Sequence, residues 1–224
     1  MRQSADAPSQ PELHSSPESE RAAMVRSLAA HTGIHDPALL RAFNSVPRHV
    51  FVPREQRAEA YDDRALSIGW EQTISQPTML AYMLSALALT PDDKVLEVGA
   101  GCGYAAALLA HLAREVHTLE IVPELAATAG ETLASLGIHN VQEVLGNGRL
   151  GLPAQAPFDK ILVSAGAEEV PEELVSELAN GGTMAIPVGS DSGQRLLIGR
   201  KGPTGQMFWE TSIACIFVPL VGRA

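Results

Sequence analysis

The sequence predicts an α/β protein built on a doubly wound, mostly parallel sheet of seven strands. Three observations point to this fold class. From residue 94 onwards, short apolar runs alternate with stretches of helical periodicity, the pattern of strand–helix–strand units. A glycine-rich segment follows the first of these strands, and an acidic residue comes about twenty residues later. The 224 residues suffice for one domain whose core folds alone.

The first ninety residues are predicted to be mostly helix and loop. Residues 1–20 are rich in serine and proline without apolar periodicity, so we expect a disordered tail. Helices are expected over residues 21–30, over 36–44, where Asp36-Pro37 supplies an N-cap and an initial proline, and from Pro77 onwards. Residues 46–53 are bracketed by prolines and should be extended or looped. Residues 21–92 thus form a helical N-terminal subregion of one domain, residues 21–224.

Residues 93–224 are predicted to form the α/β core. Strands are expected over residues 94–98, 116–121, 141–145, 160–164, 183–188, 195–200 and 211–218. Helices are expected over residues 104–112, 123–136 and 171–179. The connection at residues 201–205 is too short for a crossover helix, so the last two strands should pair as an antiparallel hairpin.

The composition excludes several classes of protein. A net charge of −10 disfavours a nucleic-acid-binding protein, which normally carries a basic surface. No stretch reaches the roughly 18 apolar residues that a membrane span requires. The N-terminus lacks the pattern of a secretory signal, so we expect a cytoplasmic protein. Two cysteines, Cys102 and Cys215, are too few for a disulfide framework or a metal cluster, and no metal site is expected.

The glycine-rich segment at residues 99–103 predicts a ligand site. Glycines let backbone N–H groups approach a ligand closely, and Glu120, at the end of the next strand, can accept hydrogen bonds from both ribose hydroxyls. The third glycine arrives one residue earlier than in a dinucleotide fingerprint, and a carboxylate at Glu97 suits a cationic sulfonium or an amino group. S-adenosylmethionine is therefore favoured over a nicotinamide dinucleotide. A glycine turn without a ligand is the remaining alternative.

A set of motifs gives the sequence a specific resemblance. LEVGAGCGY at residues 96–104 resembles motif I of class I methyltransferases. The flanking motifs resemble one family among them, the protein-L-isoaspartate O-methyltransferases, with QTISQP at residues 72–77 the most specific. The other motifs are VPRHVFVP (46–53), YDDRALSIG (61–69), PFDKILV (157–163), ANGG (179–182), IPVG (186–189) and FVPL (217–220). The likeness covers residues 22–222 in order.

The resemblance implies a class I methyltransferase α/β/α sandwich that uses S-adenosylmethionine. It also implies methyl transfer to the free α-carboxylate of L-isoaspartyl residues in damaged proteins and peptides, which starts repair through a succinimide. Ser75 is implied as the acceptor-binding, catalytic residue. The implied cofactor-binding residues are Gln72, Thr73, Ile74, Glu97, Gly99, Ala100, Gly101, Cys102, Gly103, Glu120, Ile121, Gly146 and Asn147. The expected partners are isoaspartyl-containing proteins and peptides as substrates, with no nucleic acid and no membrane, and we expect a monomer.

The sequence departs from the family pattern at three places. Asn147 stands where the family has an aspartate near the adenine amine, so an uncharged amide must serve there. Gly69-Trp70-Glu71 replaces the usual histidine-glycine pair, and residues 164–168 replace an alanine-rich stretch; both segments are expected near the acceptor site. Two rival functions follow: a related methyltransferase acting on another carboxylate, or a noncatalytic cofactor-binding homologue.

Several residues keep two interpretations. Read without the resemblance, Ser75 is better explained as the N-cap of the helix that begins near Pro77. Arg48 and His49 could bind the acceptor or could only order their loop, and Asp63 is open in the same way. Cys102 is expected to offer its backbone to the cofactor rather than a reactive thiol, and Cys215 is expected in the core.

Overall fold

The computed structural model of the chain describes residues 16–190 and 193–222. Within these residues the helices are α1 (Pro17–Thr32), α2 (Pro37–Ser45), α3 (Pro77–Leu87), α4 (Tyr104–Ala110), α5 (Pro123–Ser135) and α6 (Glu172–Glu177). The strands are β1 (Leu66–Gly69), β2 (Gln72–Ile74), β3 (Lys94–Val98), β4 (Glu115–Glu120), β5 (Val141–Leu145), β6 (Phe158–Val163), β7 (Leu178–Ser190), β8 (Gly193–Lys201) and β9 (Met207–Cys215).

The predicted seven-stranded sheet is confirmed, with the strand order β5-β4-β3-β6-β7-β8-β9. The strands from β5 to β7 pair in parallel, and β8 and β9 add antiparallel pairs at one edge. The chain runs outward from β3 in both directions, so the carboxyl ends of β3, β4 and β6 meet at one edge of the sheet. In open α/β sheets this is where ligands bind.

Two cores lie on opposite faces of this sheet. Neighbouring residues of a strand point to opposite faces, and Val95 and Leu162 accordingly belong to one core while Leu96 and Val163 belong to the other. The first core also contains buried side chains of α1 to α5, and the second contains Leu174 of α6. Burial of apolar side chains on both faces explains the apolar runs of the central strands, Val95-Leu96 in β3 and Ile161-Leu162-Val163 in β6.

The main error of the prediction lies in the N-terminal subregion, where β1 and β2 form an antiparallel hairpin that was expected as loop. The hairpin turn is Trp70-Glu71, and both residues have a positive φ, 49° and 58°. Asn-Gly and Asp-Gly are the usual residues in such a turn, so Trp-Glu gave no hairpin signal. The two strands are also only four and three residues long.

Several boundaries differ from the prediction. Helix α1 begins at Pro17 because Ser16 caps it by accepting a hydrogen bond from the Ser19 N–H, so a tail extending to residue 20 was four residues too long. The rest of the predicted tail, residues 1–15, lies outside the described residues. Helix α6 ends at Glu177, earlier than predicted, because Leu178 already pairs with Phe158 of β6.

The last strand is shifted toward the N-terminus: it was expected over residues 211–218 and spans Met207–Cys215. Residues 216–218 leave the sheet because the buried side chain of Gln194 bonds both backbone groups of Phe217. Its Oε1 accepts from the Phe217 N–H (2.8 Å), and its Nε2 donates to the Phe217 carbonyl (3.1 Å). In the described part of the chain, no helix is long and apolar enough to cross a membrane.

Candidate active site

The glycine loop between β3 and α4 is shaped by left-handed backbone. Gly101 and Gly103 have φ values of 53° and 85°, and a Cβ at Gly103 would lie 3.1 Å from the Ala129 Cβ. A Cβ at Gly101 would lie 3.2 Å from Ile68 Cδ1 of the β1–β2 hairpin. The hairpin therefore packs directly over the loop, and side chains are excluded from the space between them.

The carboxylate of Glu120 lies at the carboxyl end of β4, next to the glycine loop. Its Oε2 accepts a hydrogen bond from the Gly101 N–H at 2.7 Å, and its Oε1 accepts from the N–H groups of Ile121 (2.8 Å) and Val122 (2.9 Å). The residue is 7% exposed. Because three backbone donors fix the carboxylate, its remaining lone pairs are held in place for a ligand with hydroxyl groups.

Glu97 is fully buried in β3. Its Oε2 accepts a hydrogen bond from the Thr118 hydroxyl at 2.7 Å, while its Oε1 has no partner among the described residues. The pKa of this carboxyl is raised to about 8, mainly by burial and to a smaller extent by the nearby Glu120, against the lowering effect of the Thr118 hydrogen bond. An unpaired buried carboxyl of this kind is ready to accept a cationic group.

Three adjoining clefts lie along this edge of the sheet. The loop cleft, of about 540 Å³, runs past Gly99, Gly101 and Glu120 to Gly146 and Leu220. The inner cleft, of about 330 Å³, lies between Glu97 and Ser75, and the outer cleft, of about 1020 Å³, lies between Ser75 and Phe217. Thr73 and Ser164 line all three clefts, so the three spaces meet between β2 and the end of β6.

Most of the predicted site residues line these clefts. The loop cleft is lined by Gln72, Thr73, Gly99, Gly101, Glu120, Ile121 and Gly146. The inner cleft is lined by Thr73, Ile74, Ser75, Glu97, Gly99, Ala100, Gly101 and Cys102. Gly103 and Asn147 line none of the three, since Gly103 is the N-cap of α4 and Asn147 caps a short turn.

The side chain of Asn147 is already engaged. Its Oδ1 accepts a hydrogen bond from the Arg149 N–H at 3.0 Å, which caps the 3₁₀ turn at residues 148–150. The neighbouring glycines, Gly146 and Gly148, line the loop cleft, so the backbone of this segment reaches the cleft while the amide oxygen points into the turn. The amide oxygen could therefore accept from an adenine amine, as expected, only while it also accepts from the Arg149 N–H.

Ser75 lies between β2 and α3 and lines both the inner and the outer cleft. It is not the N-cap of α3: the N-cap is Gln76, whose side chain makes no capping hydrogen bond. The helix N-terminus is capped instead by Asp63, whose Oδ1 accepts from the Thr78 N–H at 2.8 Å. The interpretation of Ser75 as a helix cap is therefore wrong.

Arg48 and His49 lie away from the clefts. Arg48 is fully buried; its Nε donates to the Ala60 carbonyl (2.7 Å), and its guanidinium lies 4.9 Å from the centre of the Tyr104 ring. Burial lowers the pKa of Arg48. His49 Nδ1 lies 2.7 Å from the Tyr61 hydroxyl. Both residues therefore order the loop that contains them.

The two cysteines are buried and unpaired. Burial raises the pKa of the Cys102 thiol to about 11, and burial also raises the pKa of Cys215. A thiol of high pKa is a poor nucleophile. Residues 16–190 and 193–222 contain no group of His, Cys, Asp and Glu side chains arranged to hold a metal ion.

Two groups that line the clefts were not among the site residues that the sequence predicted. Ser164 follows β6, which pairs with β3, so its place beside the glycine loop could have been deduced from the parallel strand order. The segment Val218–Val221 forms one wall of the loop cleft. It is held there by hydrogen bonds between Gly166 and the backbone of Val218 and Leu220, which no local sequence signal indicates.

The strand order, the glycine loop and the two carboxylates at the ends of β3 and β4 define a class I S-adenosylmethionine-dependent methyltransferase. The sequence matches the family described as Protein-L-isoaspartate(D-aspartate) O-methyltransferase (PCMT) over residues 19–224. The chain belongs to this family.

Relatives and solved structures agree with this assignment. The chain is 48% identical to the protein-L-isoaspartate O-methyltransferase of Trichlorobacter lovleyi, over 91% of this chain and 94% of that protein. It is also 48% identical to the Picosynechococcus enzyme of the same name, over 91% of each chain.

Among solved structures, a protein-L-isoaspartate O-methyltransferase superposes with a TM-score of 0.82 at 27% identity, covering 90% of this chain and 66% of that one. A Plasmodium falciparum structure described as a protein-L-isoaspartate O-methyltransferase in complex with S-adenosyl-L-homocysteine gives a TM-score of 0.80 at 26% identity. It covers 90% of this chain and 98% of that one.

Proposed function

We propose that this chain transfers a methyl group from S-adenosylmethionine to the α-carboxylate of L-isoaspartyl residues in proteins and peptides. The observation that carries the proposal is the meeting of three clefts at Thr73 and Ser164, with Ser75 lining both the inner and the outer cleft. One side can receive a cofactor along the glycine loop, and the other can receive an extended peptide. The match to this family of enzymes supports the same reaction.

The described residues fit the cofactor. The Glu97 Oε1 is an unpaired buried acceptor beside the inner cleft, and Glu120 keeps acceptor capacity beside the loop cleft. Glu97 would face the positive charge of the methionine part, and Glu120 would accept from the ribose hydroxyls. Gly99 and Gly101 would offer backbone surface, and residues 72–74 would close the site from above. When bound, S-adenosylmethionine supplies an electrophilic methyl group.

The acceptor needs binding rather than deprotonation. A carboxylate with an ordinary pKa near 4 is ionised at neutral pH, so no general base is required. Ser75 would donate its hydroxyl proton in a hydrogen bond to one carboxylate oxygen and leave the other oxygen free to receive the methyl group. The hairpin packed over the glycine loop would help exclude water, and the rate gain would come from alignment of the reacting atoms.

The experiment is methyl transfer from labelled S-adenosylmethionine to two peptides of one sequence, one with an isoaspartyl and one with an aspartyl residue. We expect base-labile label on the isoaspartyl peptide and little on the other, because a site built for the α-carboxylate discriminates strongly against a ligand that lacks it. Equal labelling of both peptides would indicate a methyltransferase for another carboxylate. Cofactor binding without transfer would indicate a noncatalytic homologue.

The cellular location and assembly of the chain stay predictions. A cytoplasmic protein fits the two unpaired, buried cysteines, which are typical of a reducing compartment. We also expect a monomer. Sedimentation at micromolar concentration would give the mass of one chain, about 24 kDa, and a mass twice as large would reject the monomer.

A further inference from the structure

The N-terminus of α3 is capped by a residue from outside the helix. Helix α3 begins at Pro77, and its N-cap Gln76 makes no side-chain capping bond. Asp63, 15 residues before Thr78, supplies the capping hydrogen bond. Its Oδ1 accepts from the Thr78 N–H at 2.8 Å, and its Oδ2 accepts from Gln76 Nε2 at 3.4 Å. A carboxylate at this end of a helix is favoured both as a hydrogen-bond acceptor and by the helix dipole.

This arrangement determines what Ser75 can do. A serine at an N-cap turns its hydroxyl toward the free N–H groups of the first turn, and Ser75, one residue before the N-cap Gln76, could compete for the Thr78 N–H in the same way. Asp63 takes the Thr78 N–H, and among the described residues no hydrogen bond of the Ser75 hydroxyl is recorded. Ser75 lines both the inner and the outer cleft, so its hydroxyl is available to a ligand there.

Asp63 is itself held by the buried Arg48. The Arg48 guanidinium donates to the Ala60 carbonyl at 2.7 Å and to the Arg64 carbonyl at 3.4 Å, one on each side of the turn that presents Asp63. Arg48 is fully buried, whereas Asp63 is exposed. A buried guanidinium thus fixes the backbone of an exposed turn, and that turn places the capping carboxylate.

We propose that Asp63 is a positioning residue for the reaction: by capping α3 from outside, it keeps the Ser75 hydroxyl free for the acceptor carboxylate. The inference rests on the proposed function, which assigns the acceptor to Ser75. Asp63 touches neither the clefts nor the reacting groups, so its effect must pass through Ser75.

The kinetic test is a double-mutant cycle with Asp63→Ala, Ser75→Ala and the double variant, at saturating cofactor. We expect Asp63→Ala to lower kcat/KM for an isoaspartyl peptide by about tenfold, within the range seen when one positioned donor is lost. In the Ser75→Ala background the same change should cost less than about twofold, because the group it positions is gone. Asp63→Asn keeps an oxygen for the Thr78 N–H and should restore most of the activity. Asp62→Ala, a neighbouring exposed carboxylate, is the matched control.

Thermal melts provide a second cycle that does not depend on activity. With Asp63 present, Ser75→Ala should leave the Tm unchanged. With Asp63→Ala, the Ser75 hydroxyl is expected to take over the cap, so adding Ser75→Ala should lower the Tm by a further 2–4 °C or so, the cost of one cap in a domain of this size.

The outcomes separate the two proposals. If Asp63→Ala lowered kcat/KM equally in the wild type and in Ser75→Ala, the positioning role alone would be overturned. A lower Tm for Ser75→Ala with Asp63 intact would also overturn the positioning role alone. Normal isoaspartyl turnover by Ser75→Ala would overturn the acceptor role of Ser75 and the positioning role with it. The positioning role would also be overturned if Asp63→Ala kept the wild-type kcat/KM for the isoaspartyl peptide while Ser75→Ala lowered it.

Discussion

The Glu120 carboxylate and the Gly101 backbone are joined by a hydrogen bond of 2.7 Å, which ties the end of β4 to the glycine loop after β3. The carboxylate therefore has two tasks in this structure: it orders the loop, and it presents its remaining lone pairs to the loop cleft. This relationship connects loop geometry with cofactor affinity.

Replacing Glu120 should weaken the cofactor. Glu120→Ala removes the two charge-assisted hydrogen bonds proposed between this carboxylate and the ribose and frees the Gly101 N–H, so S-adenosylhomocysteine should bind about 1–3 kcal/mol more weakly by calorimetric titration. Glu124→Ala, in the exposed first turn of α5, is the control and should bind normally. Equal affinities of Glu120→Ala and the wild type would remove Glu120 from the cofactor site.

The buried Glu97 should make stability depend on pH. Its folded pKa of about 8 lies above the ordinary value of 4.5, so the folded state binds the proton more tightly than the unfolded chain. The stability from the neutral carboxyl is complete below pH 4.5 and is lost as the pH rises through 8. Measured by urea unfolding, the free energy of unfolding of the wild type should fall by on the order of a few kcal/mol between pH 5 and pH 8.

Glu97→Gln should remove most of that loss, because the amide stays neutral and can still accept from the Thr118 hydroxyl. Glu143→Gln, on β5, is the control with the same change in charge. A wild-type stability that is flat over this pH range, or a Glu97→Gln slope equal to that of the wild type, would contradict the assignment of the raised pKa to Glu97.

Asn147 offers a gain-of-affinity test. In Asn147→Asp, one carboxylate oxygen can keep the bond from the Arg149 N–H, and the second replaces the amide nitrogen with an acceptor. If that second oxygen reaches the adenine amine, S-adenosylhomocysteine should bind about 1 kcal/mol more tightly. Calorimetry would measure this, with Asn44→Asp on α2 as the control. Unchanged affinity would mean that the amine is recognised by another group or by water.

The hairpin turn over the glycine loop should be open to stabilisation. Glu71 has a φ of 58°, a conformation that costs a residue with a side chain about 1 kcal/mol and that glycine adopts freely. Glu71→Gly should therefore raise the Tm by roughly 2–4 °C. Glu71→Ala removes the same carboxylate and keeps the strain, so it should bring no such gain. An equal rise in Tm for both variants would mean that loss of the carboxylate charge, and not relief of backbone strain, stabilises the protein.

Much of this fold was predictable because the signals are local. The strands from β3 to β6 are short apolar runs between helices with proline or glycine at their ends, and each was predicted to within two residues. The glycine loop and Glu120 were predictable for the same reason. The β1–β2 hairpin was not, because its turn residues are unfavourable for a hairpin and its stability comes from packing, with Leu66, Ile68 and Ile74 buried.

The parts of the site that escaped prediction depend on contacts between distant segments. Asp63 caps a helix that begins 14 residues later in a chain that offered Ser75 as the nearer cap, so only the folded loop decides between them. Ser164 and residues 218–221 reach the clefts through pairing between strands and loops. Asn147 was predicted at the cofactor site, but its neighbours Gly146 and Gly148 line the loop cleft instead, because the turn that follows takes the Asn147 side chain.

Ser75 gives the most direct measurement. Ser75→Ala removes one hydroxyl between the inner and outer clefts and leaves the cap of α3 to Asp63. Steady-state kinetics with saturating S-adenosylmethionine and an isoaspartyl peptide should show kcat/KM lowered by roughly ten- to a thousand-fold, the effect of losing one positioned donor. Cofactor affinity and Tm should stay close to the wild-type values, and Ser135→Ala, on exposed α5 surface, should behave as wild type in all three measurements. Near-normal turnover in Ser75→Ala, whatever its Tm, would contradict the assignment of the acceptor to this serine.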